Sequence, residues 1–176
     1  MQKPKKVVID TNIVIFLSRI ANGVKINKSD REIQSIDALL KAMVDGKVEF
    51  IVTPRVVVEI EAGNKKDGGF AFNFMKKYCE LAEFSDEQNI ECYRLAKEYG
   101  KGENPAIPGA HYETQRNFYD ALILAQSAVL GLTLITNNVM HFFNGKEIRR
   151  VNLEQGYTNS DLKVYSSQGF VCDFGL

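Results

Sequence analysis

Three acidic residues, Asp10, Glu59 and Asp120, fall where an α/β chain places its chemistry. Asp10 ends the apolar run Val7-Val8-Ile9, whose consecutive β-branched side chains suit a strand buried on both faces of a parallel sheet. Open α/β sheets bind ligands beyond the carboxyl ends of their strands, and Asp10 sits at such an end. Glu59 lies a turn and a half into a helix opened by Thr53-Pro54. Asp120 lies in the first turn of a helix from Asn117, where the helix dipole favours its ionised form. Taken singly, the three are a helix cap, a solvated helix residue and a first-turn acid. Brought together, they repel one another unless a cation neutralises them. Hard carboxylate oxygens with no histidine or thiolate beside them select Mg2+ or Mn2+ over zinc. Such a cluster can activate water for in-line attack on a phosphodiester.

The flanking residues fit a supporting shell, although ordinary turn chemistry accounts for them equally well on spacing alone. Thr11 and Asn12 are placed to orient Asp10, and Thr136, Asn137 and Asn138 end a later strand with hydroxyl and amide groups. Glu61 rivals Glu59, but two positions along a helix point in different directions, and Val56, Val57 and Ile60 bracket Glu59. His111 and His141 have no visible partner acid or second ligand, so a structural role is the simpler account of both.

The elements that must position these residues alternate between strand and helix. After the first strand, Ile13 to Leu17 suggest a well-buried helix, and Ala21 to Lys28 reads as a loop. Ser29-Asp30-Arg31-Glu32 has capping-box spacing and opens a helix that Asp45-Gly46 stops. Val48 to Thr53 is the second strand, and the helix from Pro54 ends at Gly63. Phe70 to Leu81 reads as helical, with Phe70, Phe74, Tyr78 and Leu81 on one face. Ser85-Asp86-Glu87-Gln88 opens another helix, to Tyr99, and Lys101 to Thr114 is the longest structureless stretch. Beyond the helix of Asp120, Leu132 to Thr136 is the third strand and Ile148 to Leu153 the fourth. Residues 1–156 form the expected domain. The tail 157–176 is set apart as an extension of unknown role, β-prone at Val164 to Ser166 and Phe170 to Val171. The alternation predicts an α/β fold with a parallel or mostly parallel sheet.

Composition narrows the class further. A chain of 176 residues with 45% apolar and 25% charged residues is long enough to bury a core without staples. Its formal net charge is zero, so polyanion binding must rest on local groups such as Lys65/Lys66 or Arg149/Arg150. Cys79, Cys92 and Cys172 are odd in number and widely spaced, which indicates reduced thiols in a cytoplasmic protein and neither a disulfide framework nor a zinc site. Lys3-Pro4-Lys5-Lys6 imitates the start of a signal peptide, but Asp10 interrupts the apolar run that follows, and no stretch is long enough to span a membrane.

In this order, V-V-I-D-T-N-I, T-P-R-V-V-V-E-I, Y-D-A-L-I-L-A-Q-S-A and L-I-T-N-N-V-M-H-F resemble the PIN-domain family, and most closely the VapC-type ribonuclease toxins. The resemblance covers Lys5 to about Val151. It implies a three-layer α/β/α fold with a mostly parallel central sheet of four to five strands. It also implies a metal-dependent endoribonuclease acting on RNA, with Asp10, Glu59 and Asp120 at the metal and Thr136 and Asn12 in support. A homodimer and a small antitoxin partner follow from the same resemblance. An acidic residue often stands in the family where this chain has Asn138. Two other readings compete: a catalytically silent PIN domain that binds RNA or protein, and a phosphotransferase or phosphohydrolase with Asp10 as nucleophile. The last is weakest, because position 12 is Asn and no lysine follows in a matching context.

Overall fold

A computed structural model describes residues 5–63, 69–99, 115–138 and 164–176. The expected strand Ile148–Leu153, the stretch Lys101–Thr114, His111 and His141 lie outside the described residues. The first strand, β1 (Lys5–Ile9), is followed by helices α1 (Thr11–Ala21) and α2 (Asp30–Val44) and by β2 (Val48–Val52). Then come α3 (Pro54–Gly63), α4 (Phe70–Tyr78), β3 (Cys79–Leu81), α5 (Asp86–Tyr99), α6 (Gln115–Leu130) and β4 (Thr133–Ile135). The last described elements are β5 (Val164–Tyr165) and α7 (Ser167–Phe174).

The strands form one five-stranded, all-parallel sheet in the order β3-β2-β1-β4-β5. Central β1 is apolar on both faces, as its β-branched run requires, and Val7, Val8 and Ile9 are fully buried. From β1 the chain steps outward to β2 and β3, then returns past β1 to β4 and β5. Right-handed crossovers therefore put α1–α4 on one face and α5 and α6 on the other. The packing agrees: α1 lies against α2, α3 and α4, while α5 and α6 pair through a separate small core of Cys92, Leu95, Ala96, Ala121, Leu122 and Ala125.

Local signals set the element boundaries. Asp10 itself is the N-cap of α1, accepting from the Thr11 N–H, so Thr11 and Asn12 are the first helical residues. The Ser29 hydroxyl accepts from the Glu32 N–H as the capping box predicts. At α5 the box is reciprocal: Gln88 N–H donates to Ser85 Oγ at 3.3 Å, and Ser85 N–H to Gln88 Oε1 at 2.9 Å. Gly131, with φ of 65°, closes α6 in a Schellman arrangement, with Leu132 N–H donating to Ser127 O at 3.1 Å.

Three boundaries differ from the sequence reading. The helix over Phe70 ends at Tyr78, because Cys79–Leu81 instead pair with β2 from Phe50 to Val52. Its buried face is Ala71, Phe74 and Met75; Phe70, Tyr78 and Leu81 are exposed. Phe170 and Val171 are helical, within α7, whose N-cap Ser166 accepts from the Gly169 N–H. Finally, α6 begins at Gln115 rather than Asn117, which puts Asp120 in its second turn and weakens the dipole argument. The segment 157–176, set apart in the sequence as an extension, supplies β5 and α7, and Phe170 is fully buried in the main core.

Candidate acidic site at the carboxyl edge of the sheet

The chain leaves β1 in one direction and reaches β4 in the other, so the carboxyl ends of these two strands flank the topological switch point. Asp10 follows β1 and Thr136 follows β4, and the Asp10 N–H donates to Ile135 O at 3.0 Å. The Asp10 carboxylate is 3% exposed and accepts three bonds. Thr11 N–H donates to Oδ1 at 2.6 Å; Asn12 Nδ2 and the Thr136 hydroxyl donate to Oδ2 at 2.7 and 2.6 Å. Asp10 therefore caps α1, and it is also fixed by Asn12 from the turn it caps and by Thr136 from 126 positions further along the chain.

Thr136 is fully used. Its one O–H goes to Asp10, and its oxygen accepts from the Asn138 N–H at 3.0 Å and Asn12 Nδ2 at 3.3 Å. Asn12 Oδ1 in turn accepts from the Asn137 N–H at 3.1 Å. The Asn137 side chain turns away and closes a ring with Ser167 at the start of α7. Its Nδ2 donates to Ser167 Oγ at 3.0 Å, and its Oδ1 accepts from the Ser167 N–H at 2.9 Å. Ser167 Oγ also bonds Ser35 Oγ of α2 at 2.7 Å. A buried polar chain thus runs from the site to the helical layer.

Glu59 and Asp120 reach the same edge from α3 and α6. Glu59 Oε2 accepts from the Thr11 hydroxyl at 2.5 Å, while Oε1 accepts from Arg55 Nε–H at 3.0 Å and forms an ion pair with Nη2 at 3.0 Å. Arg55 also stacks on Tyr119, its guanidinium carbon 3.5 Å from the ring centroid. Asp120 Oδ2 accepts from Asn138 Nδ2 at 3.3 Å. Glu61 is exposed. Burial pushes the Asp10 carboxyl up to about 7. The bonds from Thr136 and Thr11 pull it down, and the charges of Asp120 and Glu59 push it further up. Shared partners link the three acids: Thr11 bonds both Asp10 and Glu59, and Asn138 bonds Asp120 and, through Thr136, Asp10.

Among the described residues, no three His, Cys, Asp or Glu side chains are grouped so as to hold a metal ion as they stand. Glu59 is engaged by Arg55 and Thr11, and Asp120 by Asn138. In kind the donor set suits a hard divalent cation, for it consists of carboxylate, hydroxyl and amide oxygens, with the described thiols elsewhere. Burial raises Cys79 to about 12 and Cys92 to about 11, which keeps both as inert thiols.

The sequence reading missed Arg55, Tyr119, Ser35 and Ser167. Arg55 carries a local signal in its i,i+4 spacing to Glu59. Ser167 carries none, since its partner Asn137 is 30 positions away in the chain.

The fold is that of a PIN-like α/β domain with an all-parallel five-stranded sheet. No protein-family model matches the chain, and no curated protein matches it. Among solved structures, the chain is similar to one in the crystal structure of VapBC2 from Rickettsia felis bound to a DNA fragment from their promoter. The TM-score is 0.53 at 16% identity, over 92% of this chain and 98% of that one. At this identity the likeness is one of fold.

Proposed function

We propose that the chain is a divalent-metal-dependent endoribonuclease and the toxin of a toxin–antitoxin pair in the cytoplasm. One observation carries the reading: a buried carboxylate, Asp10, at the topological switch point, with Glu59 and Asp120 raising its proton affinity. Ionised Asp10 is held in place by Asn12 and Thr136, and Asn138 orients Asp120. A Mg2+ or Mn2+ ion held by Asp10, Glu59 and Asp120 would neutralise the three acids and supply the Lewis acidity that turns water into a nucleophile toward the RNA phosphodiester. The fold shared with a chain of VapBC2 supports a small antitoxin as partner. The test is cleavage of a mixed RNA pool with and without Mg2+ or Mn2+. Cleavage should require the ion and be abolished in Asp10→Asn; cleavage retained in that variant sinks the assignment.

A second reading, a silent PIN domain that binds RNA or protein, is favoured by one feature, the uncharged Asn138 beside Asp120. Metal titration separates the two, since a silent domain needs no ion at this edge.

A further inference from the structure

We propose that Arg55 is a built-in counter-ion that competes with a divalent cation for Glu59 and so sets how tightly the acidic edge holds that cation. The inference rests on the metal-dependent reading above. Glu59 has no idle oxygen: Arg55 takes Oε1 through an Nε–H hydrogen bond and an Nη2 ion pair, and the Thr11 hydroxyl takes Oε2. Helix stability alone is a poor reason for the pair, because Arg ahead of Glu is the less favourable order at i,i+4. The pair is also more enclosed than an ordinary surface ion pair, with side-chain exposures of 17% and 25%.

Arg55 is fixed from a second side. Its guanidinium lies over Tyr119, the residue before Asp120 on α6, so one cationic group touches the helices that carry both flanking acids. A cation that draws on Glu59 Oε1 must displace a charge-assisted hydrogen bond and a close ion pair and then tolerate the guanidinium nearby. The Tyr119 face gives the released guanidinium a place to stay. Arg55 is thus a positioning residue that makes the edge fill at a higher cation concentration than its acids alone would require.

Calorimetric titration with Mn2+ tests this directly, on wild type, Arg55→Leu, Arg55→Lys and Asp10→Asn. Removing one competing positive charge should tighten Mn2+ binding about tenfold in Arg55→Leu. Arg55→Lys keeps the charge but loses the fork and the flat stack, so its affinity should fall between the two. The gain should largely vanish in a Glu59→Gln background, because the competition acts through that carboxylate. Wild-type binding that Asp10→Asn abolishes and Arg55→Leu leaves unchanged or weaker overturns the competition while sparing the proposed function. Absence of binding in wild type and Arg55→Leu alike, or binding that survives Asp10→Asn, overturns both. Should Arg55→Leu fail to fold, Arg55→Lys carries the comparison, and wild-type affinity in it overturns the inference.

Discussion

Asp10 is the residue whose surroundings set the clearest measurable consequence. Its carboxyl rises from an ordinary 3.8 to about 7 on folding, mainly because it is buried. Between these values the folded chain binds a proton that the unfolded chain does not. The stability from this group is therefore complete below about pH 4 and is lost as pH rises through about 7. Denaturant unfolding should show Asp10→Asn to be more stable than wild type at pH 8, with the advantage shrinking toward pH 5. Equal pH profiles for the two proteins would count against the buried carboxylate as the cause. Glu59 and Glu61 offer a second test, since only Glu59 faces Thr11 and Arg55. Under saturating Mg2+, Glu59→Gln should cost RNA cleavage at least tenfold more than Glu61→Gln, about 1.4 kcal/mol of barrier. Equal losses would mean that the register of α3 does not matter. The place of Asp10 was legible because a β-branched run ending on a carboxylate is a local pattern. Arg55 and Ser167 were not singled out, because the contacts with Tyr119 and Asn137 that give them meaning join distant parts of the chain.

Elements were legible wherever a side chain speaks for its own backbone. Ser29 caps α2 through one half of its capping box, whereas at α5 both halves form between Ser85 and Gln88. Ser85→Ala should destabilise the protein by about 1 kcal/mol, read as a lower denaturant midpoint at unchanged slope. A change below a few tenths would show that Gln88 alone sustains the cap. Strand β3 was illegible for the opposite reason. Phe70, Phe74, Tyr78 and Leu81 keep helical spacing, yet Cys79–Leu81 take their hydrogen bonds from β2, a partner that periodicity does not see. Two-residue β5 is too short to carry a period at all, and its identity rests on its pairing with Leu134 and Ile135.

At the scale of the whole molecule, the fold class followed from alternation alone, whereas the sheet's outer edge did not. Among the described helices none is long and apolar enough to cross a membrane. Formal neutrality leaves the molecule without a global field for polyanions, so on the proposed function local surfaces would have to recruit RNA. Exposed apolar side chains stand out on the helices, with Val58 on α3 and Ile90 and Tyr93 on α5 at 53%, 70% and 57% exposure. We expect the purified chain to be a homodimer. Light scattering over a range of concentrations checks this, and a monomer at every concentration counts against it.

The bond from Thr136 to Asp10 joins residues 126 positions apart, and it also gives the molecule a clock. During synthesis Asp10 emerges long before the hydroxyl that steadies it, by on the order of ten seconds at ordinary elongation rates. Glu59 emerges in between and Asp120 shortly before Thr136, so a growing chain lacks the full set of three acids until most of it has been made. Ser167 arrives later still to anchor Asn137. On the proposed function, the edge would be complete only after the strand bearing Thr136 has docked beside the first, when nearly all of the chain has been made.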